Sequence, residues 1–407
     1  MKFHRLAVSP IESELLRKVG SDSGWLLETN DVLRVGLGRV VQSISVTANG
    51  VSPEAQIFEH TITGDAGPSD SGVIAIGALP FNPKATGLLS IPEILVTQYS
   101  SGATFVTTVE GSAGLIPILE KYTEVEQAPQ SARSLHYEPT PEEYAHKVAA
   151  AVEHLRNKEV QKVVLARAVR GSVPEPINAG ALAMRLRNRE PRCTLYSIPL
   201  SENQRFVGVS PELLLERRGT DVRCNPLAGT IALPMNAPSE DYQNWLLGSA
   251  KNLNEHKLLV DEMVSALQVI FTDVKADAQP SILKLRTIAH LSSWITTSGT
   301  TASMPTVMQI LKLLHPTAAV CGIPREAALQ LLTDLESQDR GNYAGPVGWL
   351  DAAGDGEWWL GIRGVVIEGN EFEAWSGAGI VSESDPIAER EETKDKLASV
   401  LTSIAII

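Results

Sequence analysis

Apolar positions along this chain change period partway, and the change divides it. Before Glu124, short apolar runs at Val40–Val46, Gly72–Ala78 and Ile94–Gln98 are separated by Gly, Pro, Ser and Asp, the pattern of strands and turns. After Glu143, helical and strand periods alternate. Thr140-Pro-Glu-Glu143 reads as a capping box with Pro at the first helical position, and Tyr144, Val148, Val152 and Leu155 follow at helical spacing. Further strands are predicted at Val160–Val169, Thr194–Ile198, Arg205–Val209, Leu213–Arg217, Trp358–Ile367 and Glu371–Ser376. Long helices are predicted at Ser239–Thr272, Thr306–Leu314 and Pro386–Ile404, the last behind Ser384 or Asp385 as cap. The pattern predicts an α+β chain of packed sheets with helices outside. The Pro-containing seam Glu124–Glu143 is the place for a boundary, but either half can complete the other's sheet, so one domain over 1–407 is expected.

Composition narrows the function. The 407 residues are 43% hydrophobic, which excludes a mainly disordered chain. Lys and Arg number 35 against 48 Asp and Glu, a net charge of −13, which argues against general binding to nucleic acid or anionic membrane. An anionic ligand must then be recruited by local cations or a metal. Cys193, Cys224 and Cys321 lack CxxC spacing, which fits neither a disulfide framework nor a zinc site and suits a reducing compartment. Met1–Glu14 carries no signal-type apolar run, and no stretch is long enough to span a bilayer. A cytoplasmic protein is expected.

Five segments hold candidate chemistry. Glu389, Glu392 and Lys396 share one face near the start of the last helix, either as a solvated charged face or as a ligand face. The Gly377-x-Gly379 turn before it lacks the third glycine of a dinucleotide fingerprint. Glu255, in Lys251-Asn-Leu-Asn-Glu-His256, is either an exposed helix glutamate or, with Glu389 and Glu392, a hard-oxygen ligand for Mg²⁺. Strand alternation puts Lys162 on the face of Val164 and Ala166, where it is either a buried base or a guard at a strand start. Glu212 precedes an apolar strand, where desolvation would make it a working acid, or it simply caps a hairpin. Gly229 either admits a ligand to the backbone or makes a turn. By themselves His315 and His290 read as structural histidines.

The order of these segments says more than any one of them. Lys162-Val-Val-Leu-Ala-Arg167, Ser210-Pro-Glu-Leu-Leu214, Pro226-Leu-Ala-Gly-Thr230, Lys251-x-x-x-Glu-His256, His315-Pro-Thr-x-Ala-x-x-Gly-x-Pro324, Asp339-Arg-Gly-Asn-Tyr-Ala-Gly-Pro-Val-Gly348 and Gly377-Ala-Gly-Ile-Val-x-x-Ser-x-Pro-x-x-Glu-x-x-Glu-Thr393 follow in sequence. Together they resemble the chorismate-utilising enzymes, and within them isochorismate synthase. The match runs from Lys162 to Lys396, with a thinner piece at Gly77-Ala-Leu-Pro-Phe81.

The resemblance implies one large α+β chorismate-binding domain of stacked, mainly antiparallel sheets flanked by helices, acting as a monomer. It implies Mg²⁺ as cofactor and chorismate as substrate, with isochorismate feeding siderophore or menaquinone synthesis. By motif, Lys162 would activate water for attack at C2, and Glu212 would protonate the departing C4 hydroxyl. Glu255 and Glu389 would hold Mg²⁺, with Glu392 close by. Arg363 and Tyr343 would bind the enolpyruvyl carboxylate; Gly229, Gly377, Gly379 and Lys396 would complete the cradle, and Thr230, His315 and Ala319 would also touch substrate. Asn252 departs from the pattern, standing where relatives often carry an acid. Relatives that use ammonia generally lack a lysine at the Lys162 position, so Lys162 points to hydroxylation. Salicylate synthase shares that lysine and goes on to eliminate pyruvate. Ala319 matches a position that is small in isochorismate synthases and threonine in salicylate synthases.

Overall fold

The strand Lys162–Ser172 shows how the apolar runs are used. Residues 162–169 are all buried, which requires cover on both faces and a partner on each edge. One edge pairs antiparallel with Glu371–Ile380, from Val163 opposite Ile380 to Ser172 opposite Glu371. The other pairs with Ser134–Glu138 along its C-terminal half and with Gly322–Ile323 at its start. The computed structural model describes residues 1–46, 53–57, 59–157, 159–233, 239–300 and 304–406, with side chains except at 239–242 and 406.

From Glu371–Ile380 the antiparallel pairing continues through Gly364–Glu368, Gln204–Ser210, Thr194–Pro199, Trp25–Glu28, Val32–Val46, Gly87–Tyr99, Ile74–Ala78, Pro346–Asp351, Gly356–Leu360, Leu213–Arg218 and Asp221–Asn225. Strands from before and after the seam therefore interleave in one 20-stranded sheet among the described residues. The sheet folds back on itself. Trp25, Leu27, Tyr196 and Phe206 share a core cluster with Ile76, Val347 and Trp349. Helices bury their apolar stripes on it: Leu16, Leu182, Leu397 and Leu401 pack with Val207 and Val365, while Leu155, Leu259 and Leu311 pack with Val163, Leu214 and Trp358. This is the α+β architecture of stacked, mainly antiparallel sheets flanked by helices. Beside it lies a small sheet of Leu227–Ala232, Ile288–Ser292 and Ser281–Lys284. Among the described residues no helix is long and apolar enough to cross a membrane, and Cys193, Cys224 and Cys321 are buried free thiols.

Two expected elements are each divided. The helix predicted over Ser239–Thr272 is two, Ser239–Gly248 and Ala250–Leu267, because Ser249 caps the second with its hydroxyl on the Asn252 N–H. The strand predicted over Trp358–Ile367 is also two, Gly356–Leu360 and Gly364–Glu368, separated by Gly361-Ile362-Arg363. Arg363 there has φ of 50°, a left-handed conformation that few non-glycine residues adopt. The helices Pro141–Arg156 and Pro386–Ile404 begin where their caps predict, with a complete capping box at Thr140 and the Asp385 carboxylate on the Ile387 and Ala388 N–H groups.

Candidate active site

A cleft opens where the small sheet, the helix Ala250–Leu267 and the strands Lys162–Ser172 and Glu371–Ile380 meet. Of the residues singled out from sequence, Lys162, Glu212, Gly229, Thr230, Glu255, Ala319, Tyr343, Arg363, Gly377, Gly379, Glu392 and Lys396 all line it. They come from places more than two hundred residues apart in the chain. The ladder converges them: Val164 stands opposite Gly379 and Ala166 opposite Gly377.

Glu212 sits in the short link between the strands Gln204–Ser210 and Leu213–Arg218 and is 6% exposed. Burial pushes its carboxyl up to about 8, against the opposing pull of the Leu227 N–H, Lys162, Lys396 and Arg363. At neutral pH it therefore carries a proton, as a general acid must. The Leu227 N–H, 3.4 Å from Oε1, orients it.

Each acid on the opposite side is held by a lysine. Lys162 Nζ lies 2.9 Å from Glu255 Oε1, Lys251 Nζ 2.8 Å from Glu389 Oε1 and Lys396 Nζ 2.7 Å from Glu392 Oε1. Gly379 makes room for the first pair, since a Cβ there would stand 2.3 Å from Glu255 Oε1 and 3.0 Å from Lys162 Cε. Burial alone would raise the Glu255 carboxyl, but Lys162, Lys396 and Lys251 hold it below its ordinary value. Glu389 shows the opposite balance. Burial and then the charge of Glu392 raise it in spite of Lys251 and the Ser384 hydroxyl, so this acid is short of positive charge.

Three hard-oxygen donors, one of them undercompensated, suit a divalent cation such as Mg²⁺ in chemical type. Among the described residues no three His, Cys, Asp or Glu side chains stand at ligand spacing; each carboxylate is turned to its lysine instead. Glu389, 2% exposed, lies behind the cleft wall, while Glu255 and Glu392 form part of it. Asn252 is buried against Gly229 and donates its backbone N–H to the capping Ser249 hydroxyl, so it belongs to the packing under the cleft.

The remaining wall is cationic and aromatic. Arg363 Nη2 donates to His290 Nε2 at 2.6 Å, and His290 Nδ1 lies 3.0 Å from Thr230 Oγ1. A guanidinium can only donate, so Nε2 accepts and the ring proton sits on Nδ1. Burial, then Arg363 and Lys396, push the imidazole pKa well down, which keeps it neutral. Tyr343 stacks on Trp375 with ring centroids 5.8 Å apart, and Lys396 also donates to the Gly377 carbonyl at 2.9 Å.

His315 is a correction. It does not line the cleft: it is buried, bonds through Nε2 to the Phe81 carbonyl at 3.0 Å and meets the Phe81 ring edge-on. Its motif holds the loop that carries Ala319, which does face the cavity. Conversely, His290 lines the cleft although its sequence setting reads as core. Lys251 also had no assigned part. Its signal was present, four residues before Glu255 and so on the same helix face.

Residues 45–405 match the chorismate binding enzyme family. The isochorismate synthase DhbC of Bacillus subtilis is 32% identical over 343 residues, spanning 82% of this chain and 81% of that protein. The vibriobactin-specific isochorismate synthase of Vibrio cholerae is 32% identical over 336 residues, with 82% and 80% covered. The menaquinone-specific isochorismate synthase MenF of Escherichia coli superposes with a TM-score of 0.83 over 99% of this chain and 94% of that one; at 24% identity it shares the fold.

Proposed function

The chain belongs to the chorismate binding enzymes, and from that premise we propose that it converts chorismate to isochorismate with Mg²⁺ bound. The observation that carries this reading is a buried carboxyl, its pKa pushed up by desolvation, sharing a cleft with a buried lysine. Water adds at C2 and loses a proton, while the C4 hydroxyl leaves with a proton gained, so the formula is unchanged. Glu212 supplies the proton to the leaving hydroxyl, since hydroxide is a poor leaving group. Lys162 takes the proton from water. A lysine paired with a carboxylate is an ammonium without a lone pair, so Lys162 must first part from Glu255 and give its proton to bulk water, and the free amine then takes the proton from the attacking water.

Arg363, held by His290, and Tyr343 take the enolpyruvyl carboxylate, and Gly229, Thr230, Gly377, Gly379 and Lys396 border the ring. Glu255, Glu389 and Glu392 would hold Mg²⁺, which when bound supplies positive charge for the ring carboxylate. These cations reverse, at the cleft, the sign of a chain whose net charge is −13. The test is incubation of purified protein with chorismate and Mg²⁺, with products separated by chromatography and pyruvate assayed. Isochorismate without matching pyruvate is expected, and a chelator should abolish it. Stoichiometric pyruvate would replace this reading with the salicylate-forming one, and unchanged chorismate would refute both.

A further inference from the structure

We propose that Lys251 is an internal stand-in for the metal, a cation that occupies Glu389 until Mg²⁺ displaces it and so sets how tightly Mg²⁺ is held. The inference rests on the reading of Glu255, Glu389 and Glu392 as Mg²⁺ ligands. Three lysines hold those acids, but their settings differ. Lys162 and Lys396 line the cleft, and Lys396 is also tied to the Gly377 carbonyl. Lys251 is absent from the cleft wall and approaches from outside it. Its side chain is 39% exposed, whereas that of Glu389 is 2% exposed. The carboxylate is therefore fixed, also accepting from Ser384 Oγ at 2.7 Å, while the ammonium sits at the edge of water on a flexible four-carbon stem.

Lys251 is placed for this role, its Nζ 2.8 Å from Glu389 Oε1. It stands one helical turn before Glu255, on the element that brings Glu255 to the site. A divalent cation arriving at Glu389 meets this ammonium at ion-pair distance, and two like charges there cannot both stay. Lys251 can leave into water, whereas Glu389 cannot follow it. Metal binding is therefore an exchange of cations, and the wild-type affinity is lowered by the strength of the Lys251–Glu389 pair.

Calorimetric titration of the full-length protein with Mg²⁺ alone tests this. Lys251→Met should bind Mg²⁺ more tightly, by about 2- to 5-fold for a half-exposed pair removed as competitor. Lys251→Gln, which keeps a polar stem in the first helical turn, should tighten binding likewise. In the wild-type protein, saturating Mg²⁺ should increase acetylation of Lys251 by acetic anhydride, read by peptide mass spectrometry, because the displaced amine is free in water. Unchanged or weaker Mg²⁺ binding in both variants, or a Lys251 amine no more reactive with Mg²⁺, would overturn the proposal. If the wild-type protein and Lys251→Met both bind no Mg²⁺, the metal reading itself fails; if the wild type binds and the variants gain nothing, only the role of Lys251 does.

Discussion

Glu212→Gln removes the proposed acid, and its effect on stability can be worked out independently of its effect on rate. In the folded protein the carboxyl titrates near about 8, because burial outweighs the cations around it, against an ordinary value of 4.5. Between those values the folded state holds a proton that the unfolded chain releases, so this residue makes stability fall as pH rises across that window. At about 1.4 kcal/mol for each pH unit, the cost is about 3 kcal/mol at pH 7 and about 5 kcal/mol above pH 8. Glutamine has nearly the same shape, never ionises, and its carbonyl can accept the Leu227 N–H that Glu212 accepts now. The variant should therefore match the wild type in stability near pH 4.5, exceed it by about 3 kcal/mol at pH 7 and reach a plateau above pH 8. Urea unfolding at each pH measures this directly. The same substitution should lower kcat by about 10²-fold or more, and wild-type kcat/KM should fall as pH rises through about 8. A stability difference that does not vary with pH would refute the assignment of the proton to Glu212.

Lys162→Ala should lower kcat by about 10²- to 10⁴-fold and, by taking the ion-pair partner from the largely buried Glu255, destabilise the fold by about 1–3 kcal/mol; adding Glu255→Gln should restore most of that stability in a denaturation series. Ala319→Thr puts a hydroxyl into the cleft at about 1–3 kcal/mol of stability, and a coupled pyruvate assay should show more elimination than in the wild type. His290→Ala frees the Arg363 guanidinium from its 2.6 Å contact, so KM for chorismate should rise about tenfold with a smaller change in kcat, read by steady-state kinetics.

Much of the fold was legible because local signals agreed with their surroundings. The capping box at Thr140 and the Asp385-Pro386 start predict helices that begin at those residues in the structure. The Val-rich run from Val160 is a strand covered on both faces, and its apolar continuity is the mark of that burial. The N-terminal strands are longer than their sequence suggests. Val32–Val46 pairs with Gly87–Tyr99 through register shifts between Leu37 and Gln42, and such irregularities break the alternation that would otherwise show one long strand. The divided strand around Arg363 was hidden for a different reason. Trp358 to Ile367 is apolar enough to read straight through, and only the tertiary position of Arg363, not its neighbours in sequence, requires the left-handed turn.

The site was legible where a residue's type and its local placement point to the same chemistry, and obscure where its role depends on a distant partner. Strand alternation allows Lys162 an inward face and an apolar strand follows Glu212, but it is the ordered motifs and the family they resemble that give both a role. His290 follows from neither. It is buried in a strand buried along its whole length, which by itself means core. Its task appears only when the ladder sets Thr230 opposite it and the turn at Arg363 reaches it from the large sheet. His315 errs in the opposite direction, sitting in a motif that borders the cleft while its own ring is spent on the Phe81 carbonyl. In both cases burial is the same and the partner differs. A buried polar residue must bond to something, and only the folded chain shows whether that partner is the frame of the site or a residue that meets the ligand.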